Sequence, residues 1–229
     1  MRVSIVIPAL NAAPFISDAI DSCLAQTAGT FAFDLEILVV DNGSTDGTAD
    51  LVRRRYGAKV VLLAEPEPGI AHARNTGIAQ VTGDTLALLD ADDLWLPGKL
   101  ALQTAVLAER PEVDLVFCHG VEFADPPGLA PCRMEPRPFL SSSALCARRS
   151  AMDKAGPFPP FRSGEFIAWY GLATARRLTT HVVPETLVRR RVHATNSTRN
   201  RALLADYPAA MRWLIERRRE LGLETEPSR

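Results

Sequence analysis

Three carboxylates stand within four positions of the 229-residue chain, in the segment Asp90-Ala91-Asp92-Asp93. Carboxylates this close repel each other unless a cation or a hydrogen-bond donor compensates their charge. Oxygen ligands suit Mg²⁺ or Mn²⁺, and Mg²⁺ commonly binds one or two carboxylates together with substrate phosphates. The segment therefore predicts a divalent-metal site that a diphosphate would complete. The alternative is a polar turn in which Asp92 or Asp93 caps the following helix.

A second polar run, residues 41–48 (DNGSTDGT), follows another apolar stretch. Asp, Asn, Gly, Ser and Thr form turns and cap helices, so this run alone is equally compatible with a simple helix start. Both polar runs, however, come directly after predicted strands. In a parallel sheet, ligands bind beyond the carboxyl ends of the strands. We therefore expect the two runs to converge at one edge of a sheet.

The elements that must hold these runs alternate between strands and helices in the first ninety residues. Short apolar stretches predict strands, and apolar residues at helical spacing predict the helices between them. Such alternation is typical of an α/β protein whose mostly parallel sheet is covered by helices on both faces. The predicted strands are 3–7, 35–40, 59–64 and 85–89, and the predicted helices are 14–26, 48–56 and 70–81.

The alternation is less regular after residue 93. We see neither an internal repeat nor a linker that would separate two independent domains, so the chain is predicted to form one domain. The predicted elements are helices at 96–109, 164–178 and 202–221, strands at 113–118, 142–148, 180–183 and 187–192, and a Pro-rich surface loop at 124–139.

Composition and charge restrict the function classes. The net charge is −1 and 47% of the residues are hydrophobic, which is ordinary for a globular protein and gives no reason to expect nucleic acid as a partner. The four cysteines are scattered without a CxxC pair, which argues against a zinc knuckle or a redox motif. No apolar run reaches the length of a transmembrane helix. We expect a cytoplasmic protein, with peripheral association with the inner face of the membrane left open.

Four segments resemble family 2 glycosyltransferases of the GT-A fold in their order, spacing and strand context. They are residues 3–11 (VSIVIPALN), 36–48 (EILVVDNGSTDGT), 68–77 (PGIAHARNTG) and 83–100 (GDTLALLDADDLWLPGKL). The second half is similar to the family more loosely, at residues 156–158 (GPF), 164–165 (GE) and 189–197 (RRRVHATNS). The resemblance therefore rests mainly on the first hundred residues.

The resemblance implies a GT-A fold, which is a Rossmann-like, mostly parallel sheet flanked by helices, with a smaller acceptor-side part and a C-terminal helix. It implies one domain, with a nucleotide-sugar-binding half at 1–95, an acceptor-binding half at 96–200, and a helix and tail at 201–229. It also implies a metal-dependent, inverting transfer of a sugar from a nucleotide-diphosphate donor, expected to be a UDP-sugar, to a hydroxyl acceptor. The acceptor (a saccharide, a lipid-linked group, a peptide or a small molecule) and the oligomeric state are left open.

The resemblance also implies roles for individual residues, with Mn²⁺ or Mg²⁺ as the cofactor. Asp92 would bind the metal, and His193 would help to hold the metal or the diphosphate. Asp90 would contact the ribose or the metal, and Asp41 would accept a hydrogen bond from the base. The other residues assigned to the nucleotide-sugar site are Pro8, Asn11, Asn42, Arg74, Ala91 and Arg191.

An inverting transfer needs a base that takes the proton of the acceptor hydroxyl. The family often carries a Glu-Asp pair at the head of a helix, with the Asp usually as the base, and this chain has Glu165-Phe166 at the matching place. We predict that Glu165 is the base; a carboxylate that only favours the helix N-terminus is the alternative. The missing Asp also favours an alternative function, a catalytically degenerate protein of this fold that binds a nucleotide-sugar or a glycan.

Other nucleotide-using α/β enzymes fit the sequence less well. A dinucleotide oxidoreductase needs GxGxxG after the first strand, where this chain has Pro8-Ala9-Leu10-Asn11,. A P-loop needs GxxxxGK[ST], whereas Gly98-Lys99 is followed by Leu100,. Neither phosphate-binding loop is therefore predicted.

Overall fold

A nine-stranded sheet runs through the protein, whose computed structural model describes residues 1–26, 34–196 and 205–223. Its first four strands are parallel neighbours in the order β3-β2-β1-β4. They are nearly continuous apolar runs, as expected for a parallel sheet covered on both faces. Their bounds are β1 Arg2–Ala9, β2 Asp34–Asp41, β3 Val61–Ala64 and β4 Thr85–Leu88.

The sheet continues beyond β4 with strands of mixed direction. The order there is β4-β8-β6-β9-β5, in which β8 is antiparallel to both of its neighbours and β9 is parallel to β6. Their bounds are β5 Leu94–Trp95, β6 Leu115–Ala124, β7 Arg137–Phe139, β8 Cys146–Arg148 and β9 Thr180–Val192. The predicted fold class is confirmed, although the two strands predicted at 180–183 and 187–192 form one strand with an irregular register beside β6.

Seven helices flank the sheet in the described residues. Six were predicted within a few residues of their ends, and the short helix α5 was not. The segment predicted as a strand at 142–148 is instead a 3₁₀ turn, Ser142–Ala144, followed by β8. The helices are α1 Ile16–Leu24, α2 Thr48–Tyr56, α3 Ile70–Gln80, α4 Lys99–Glu109, α5 Arg149–Ala155, α6 Glu165–Ala175 and α7 Tyr207–Glu220.

Close packing fixes α3 against the sheet. Gly77 of α3 faces β1 so closely that a Cβ there would lie 2.4 Å from Val6 Cγ1 and 3.0 Å from Val40 Cγ2. Real Cβ atoms do not approach other atoms this closely, so only glycine fits. The contact brings the rest of α3 close to the carboxyl ends of the parallel strands.

The C-terminal helix α7 packs on α6. A Cβ at Gly171 would lie 2.4 Å from Leu214 Cδ2, and a Cβ at Gly164 would lie 3.2 Å from Ala210 Cβ. Residues 202–204 of the predicted last helix lie outside the described residues. Within the described ranges, no helix combines the length and apolarity needed to cross a bilayer. The boundaries that we predicted at residues 95 and 200 stay predictions.

Candidate active site

Hydrogen bonds join the loops after β1 and β2 at the carboxyl edge of the sheet. Asn11, after β1, has a positive φ of 49°, a conformation in which Asn is enriched. Its Oδ1 accepts a hydrogen bond from the Thr45 backbone N at 2.8 Å, and its own backbone N donates to Ser44 Oγ at 2.9 Å. Pro8 lies near the end of β1, beside β2. Asn11 therefore joins the two loops, whereas Pro8 is a buried residue of β1, and the roles predicted for both at the nucleotide site stay predictions.

The side chains of Asp41 and Asn42 differ in how far their polar atoms are already hydrogen-bonded within the protein. Asp41 ends β2 and is only partly buried; its Oδ1 accepts a long hydrogen bond from Ser44 N at 3.4 Å, and no hydrogen bond from a described residue reaches Oδ2. Asn42 is 8% exposed; its Nδ2 donates to the carbonyl oxygens of Glu65 and Glu67 at 2.9 and 2.7 Å, and its Oδ1 accepts from Gly69 N at 2.7 Å. The Asn42 amide thus holds the loop before α3. Its place in the nucleotide-sugar site stays a prediction.

Arg74 of α3 is the centre of a buried polar network. Its side chain is 2% exposed and donates to Asp90 Oδ1 at 2.8 Å, to Ser142 Oγ at 3.0 Å and to Glu165 Oε1. Burial alone would lower the pKa of Arg74, but the charges of Asp90 and Glu165 raise it above its ordinary value,. The residue that we predicted at the nucleotide site is thus a charged link between Asp90 and the first turn of α6.

Asp92 and His193 lie side by side at the same edge of the sheet. His193 Nε2 is 2.9 Å from Asp92 Oδ2, and Asn196 Nδ2 donates to that oxygen at 3.1 Å. The other ring nitrogen, Nδ1, is 2.9 Å from Thr195 Oγ1, and the ring packs on Phe15 at 4.3 Å between centroids. Asp92 keeps 30% of its side chain exposed. The two residues that we predicted as metal ligands therefore face each other.

Asp93 is the buried member of the acidic segment, at 4% exposure. Its carboxylate accepts hydrogen bonds from Ser143 Oγ at 2.7 Å and from the Arg191 backbone N at 3.0 Å. Burial, and then the charges of Asp92 and Asp90, raise the pKa of Asp93 well above its ordinary value,. Asp93 thus fixes the turn rather than presenting its carboxylate to a ligand.

The interpretation of the acidic segment as a helix cap is wrong. Helix α4 begins only at Lys99, with Gly98 at the N-cap and no side-chain cap. Ala91, between the carboxylates, is 8% exposed, and its place in the donor site stays a prediction.

Arg191 is committed to internal ion pairs. Its Nη2 lies 2.8 Å from Asp18 Oδ2, its Nη1 contacts the Asp125 carboxylate, and its Nε donates to the Asp92 carbonyl oxygen at 3.0 Å. The guanidinium that we predicted at the nucleotide-sugar site therefore pairs with two carboxylates of the protein. Arg191 instead links α1 and the residue after β6 to the backbone of Asp92.

Glu165 is the first residue of α6 and is 6% exposed. Its Oε1 accepts from Arg74, while Oε2 makes no hydrogen bond to the part of the chain that the structure describes. Phe166, at the place of the family Asp, is 8% exposed and stacks on Tyr170 with ring centroids 6.4 Å apart. The head of α6 therefore presents one carboxylate, and the next side chain belongs to the aromatic core.

Three polar residues of the site escaped the sequence-based assignment. Ser142 Oγ donates to both oxygens of Asp90, at 3.1 and 2.9 Å, and Ser143 Oγ to Asp93. Asn196 supports Asp92, and its Oδ1 accepts from His193 N at 2.6 Å. The serines stood in a segment predicted as a strand, where alternate side chains would face opposite ways; the 3₁₀ turn places both beside the acidic segment. Asn196 had no signal beyond its nearness to His193.

The described residues contain no group of three or more His, Cys, Asp or Glu side chains placed to hold a metal ion. Asp92 and His193 are only two such side chains, and their role as metal ligands stays a prediction. A metal at this pair would need further ligands from a bound molecule or water, and a diphosphate would supply them.

A family model described as "Glycosyl transferase family 2" matches residues 4–164. The chain belongs to glycosyltransferase family 2. The predicted family is thereby confirmed on the segment that carries the acidic cluster. Glu165, Arg191 and His193 lie beyond the matched residues, so the match does not support their predicted roles.

A curated relative supports the family at the level of sequence. The chain is 40% identical over 103 residues to an uncharacterized glycosyltransferase from Nostoc sp., an alignment that covers 44% of this chain and 31% of the relative. The chain thus spans only about a third of the length of that relative.

Solved structures share the fold. S. aureus TarS 1–349 in complex with UDP-GlcNAc is similar with a TM-score of 0.74 at 18% identity, over 93% of this chain and 65% of that one. The mannosyltransferase PcManGT from Pyrobaculum calidifontis in complex with GDP-Man and Mn²⁺ has a TM-score of 0.72 at 24% identity, over 92% and 64% of the two chains. The GT-A fold that the resemblance implied is therefore confirmed.

Proposed function

We propose that this chain is a metal-dependent, inverting glycosyltransferase that uses a nucleotide-diphosphate sugar, expected to be a UDP-sugar. The observation that carries the proposal is the pairing of Asp92 Oδ2 with His193 Nε2 at 2.9 Å, beside Asp90 and next to the joined loops of β1 and β2. Carboxylate and imidazole are both ligands for divalent cations. We also expect the protein to act in the cytoplasm, where its three buried, unpaired cysteines would remain thiols,.

The Asp92 and His193 side chains fit a bound Mn²⁺ or Mg²⁺. Asp92 Oδ2 and His193 Nε2 lie 2.9 Å apart, close enough that both would bind one ion,. Thr195 contacts Nδ1, which suits an outer partner that leaves Nε2 for the metal,. When bound, the ion would offset the negative charge that develops on the departing diphosphate.

The nucleotide part of the donor fits the loops after β1 and β2. Asp41 stands at the end of β2 with an available carboxylate, and the Asn11–Thr45 hydrogen bond fixes the neighbouring loop. The bound UDP-GlcNAc of TarS and the GDP-Man of PcManGT favour a nucleotide-sugar here as well. The two bases differ, so the base must be found by experiment.

Glu165 is the base that we propose for the acceptor hydroxyl. Arg74 holds Oε1 and also holds Asp90, so this one guanidinium sets the distance between the base and the donor-side carboxylate. Oε2 is then the oxygen that would accept the proton as the acceptor oxygen attacks the sugar. Arg74 acts as a positioning residue in this account.

We predict that Glu165→Gln keeps its affinity for the nucleotide and loses transfer. Removal of a general base typically costs about 10²- to 10⁴-fold in rate. Release of nucleotide diphosphate from a turned-over donor measures the rate, and calorimetric titration of the nucleotide measures the affinity. Glu216→Gln, on the exposed side of α7, is the matched control and should leave both unchanged. Wild-type turnover in Glu165→Gln would place the base elsewhere.

Thermal unfolding with UDP, GDP, dTDP and CDP, each with and without Mn²⁺, tests the donor class. A ligand at about 100 times its dissociation constant adds roughly 2.7 kcal/mol of stability. A metal-dependent increase in Tm with one nucleotide supports the proposal and names the base. The absence of an increase with all four contradicts it.

A binding protein without transfer activity is the second candidate, favoured by one observation. Phe166 is buried at the place where the family usually carries its base. Metal-dependent nucleotide binding without turnover of any donor, with water or a panel of hydroxyl compounds as acceptor, would support this candidate.

A further inference from the structure

A cleft of about 690 Å³ lies beside the acidic segment, between β6, β9 and the segment around β7. We call it the basic cleft, because arginines dominate its charged lining. Its lining includes Glu122, Arg133, Arg137, Ser141, Arg190 and Asn196. The proposed mechanism uses none of the three arginines.

The basic cleft adjoins the proposed donor site at two points. Asn196 lines the cleft, and its Nδ2 donates to Asp92 Oδ2 at 3.1 Å. Ser141 also lines the cleft, and its neighbour Ser142 donates to the carboxylate of Asp90. A molecule in the cleft would therefore lie next to the two donor-side carboxylates.

The charges in the cleft do not balance. Its one carboxylate, Glu122, lies 3.0 Å from Arg190 Nη1 and 3.6 Å from Arg137 Nη2. Glu122 also accepts from the backbone N of Arg133 at 3.0 Å, but the exposed Arg133 guanidinium makes no ion pair with any described residue. The lining thus contains three guanidiniums and one carboxylate, two of the guanidiniums lie beside that carboxylate, and the net charge of these side chains is about +2 at neutral pH,.

A second observation in the cleft also points to a ligand. Ser141 Oγ is buried and has no hydrogen-bond partner among the described residues. Buried hydroxyl groups are nearly always hydrogen-bonded, so Ser141 Oγ calls for a partner that a water molecule or a bound ligand would supply. A hydroxyl donor and several guanidiniums together suit oxygens that carry negative charge.

We propose that the basic cleft binds an anionic group of the acceptor, a phosphate ester or a carboxylate, and so places the acceptor hydroxyl beside the donor. This inference rests on the proposed transferase function and adds a substrate class to it. Arginine suits the task because its planar, permanently charged fork matches both carboxylate and phosphate. Ser141 Oγ donates a hydrogen bond to the same group.

Three small probes test the charge requirement and separate the two anions. Glycerol 3-phosphate, glycerate and glycerol are each titrated into the protein, with and without UDP and Mn²⁺, and binding is followed by ligand-observed NMR. We expect one or both anions to bind and glycerol to bind at least about tenfold more weakly. The anion that binds more tightly names the chemistry. Equal affinity for all three, or no binding of either anion, overturns the inference.

Two variants localise the binding. Arg137→Gln should weaken the preferred anion about tenfold, because it removes one charge-assisted hydrogen-bond donor. Arg54→Gln, which removes an exposed arginine of α2, should leave the affinity unchanged. Equal loss in both variants, or no loss in Arg137→Gln, overturns the assignment to the cleft. Ser141→Ala, with Tm checked, should also weaken the anion.

The result also separates this inference from the proposed function. The affinity for UDP with Mn²⁺ should be the same in Arg137→Gln as in the wild type. Loss of anion binding with UDP binding retained confirms two distinct subsites. Metal-dependent UDP binding without anion binding refutes the proposal that the cleft binds an anion, and it leaves the proposed function intact. Anion binding without any nucleotide binding refutes the proposed function and, with it, the acceptor role of the cleft.

Discussion

The three carboxylates of the acidic segment differ because each has different partners. Arg74 and Ser142 hold Asp90, and Ser143 holds Asp93 in the interior. Asp92 alone faces an imidazole. Donors from the protein thus compensate Asp90 and Asp93, and the metal that we propose is placed by the surroundings of Asp92 rather than by the count of acids,.

Lys99 is a buried cation away from this site. We can predict how its substitution changes the free energy of unfolding. It has 0% exposure; Nζ donates to Gln103 Oε1 at 2.7 Å and stands 4.0 Å from the centre of the Trp95 ring. Burial lowers the pKa of Lys99, an effect opposed by nearby thiols such as Cys23. We expect Lys99→Met to change the free energy of unfolding by no more than about 2 kcal/mol near neutral pH, because burying a charge costs about as much as its contacts return.

The stability difference between the wild type and Lys99→Met should change with pH in a definite direction. The unfolded chain keeps the Lys99 proton up to about pH 10.4, whereas the folded state releases it at lower pH. Between these values the unfolded state binds more protons, so wild-type stability rises with pH relative to Lys99→Met. Urea unfolding of both proteins at pH 7.5 and 9.5 measures the change. A constant difference, or one that moves towards the variant, contradicts the account.

The residue types in the sequence predicted which side chains lie near the site. They predicted less well which atoms those side chains contact. Asn42 and Arg191 were placed correctly at the edge of the sheet, yet their polar atoms bond the protein itself. The partners of Arg191 are Asp18 and Asp125, far away in the chain and unremarkable in sequence. A sequence shows that a guanidinium is present, but its partners depend on the packing of distant elements.

At the scale of elements, apolar strands and periodic helices were predictable because each carries its own pattern. Helix α5 was missed since seven residues span only two turns and show too little periodicity,. The single strand β9 was predicted as two because Pro184 and Glu185 interrupt its apolar pattern. The Pro-rich segment 124–139 was predicted as a loop throughout, although its last three residues pair with β6.

The close contact between α3 and the sheet at Gly77 allows us to predict how a substitution there changes stability. Gly77→Ala adds a methyl group 2.4 Å from the stiff, β-branched Val6 side chain. Overpacking of this kind costs about 1–3 kcal/mol, and we expect the upper part of that range to outweigh the ~1 kcal/mol that Ala contributes to a helix. Thermal unfolding should show a Tm lower by several degrees.

Ala79→Gly, exposed on the same helix, is the matched control for this substitution. It changes helix propensity alone and should cost about 1 kcal/mol. Because α3 carries Arg74, Gly77→Ala should also weaken nucleotide binding, while Ala79→Gly should not. A Gly77→Ala protein as stable as the wild type would mean that α3 does not sit where the structure places it.

At the scale of the whole molecule, the site draws on both ends of the sequence. Asp92 comes from the segment matched by the family model, whereas His193 and Asn196 follow β9, outside it. The antiparallel pairing of β5 with β9 brings the two segments together, with Leu94 opposite Arg189. The family resemblance therefore bears on the part of the site within residues 4–164, and the position of the other part depends on how β9 pairs with β5.

In the function that we propose, Asp92 and His193 hold the metal that binds the diphosphate. Calorimetric titration of the preferred nucleoside diphosphate, with Mn²⁺ and then with EDTA, into wild type, Asp92→Ala and the exposed control Asp50→Ala tests it most directly. We predict that Mn²⁺ tightens the affinity of the wild type and of the control at least about tenfold, and that Asp92→Ala loses this gain while its Tm stays within a few degrees. An Asp92→Ala protein that folds and binds the nucleotide with unchanged, Mn²⁺-dependent affinity would contradict the account.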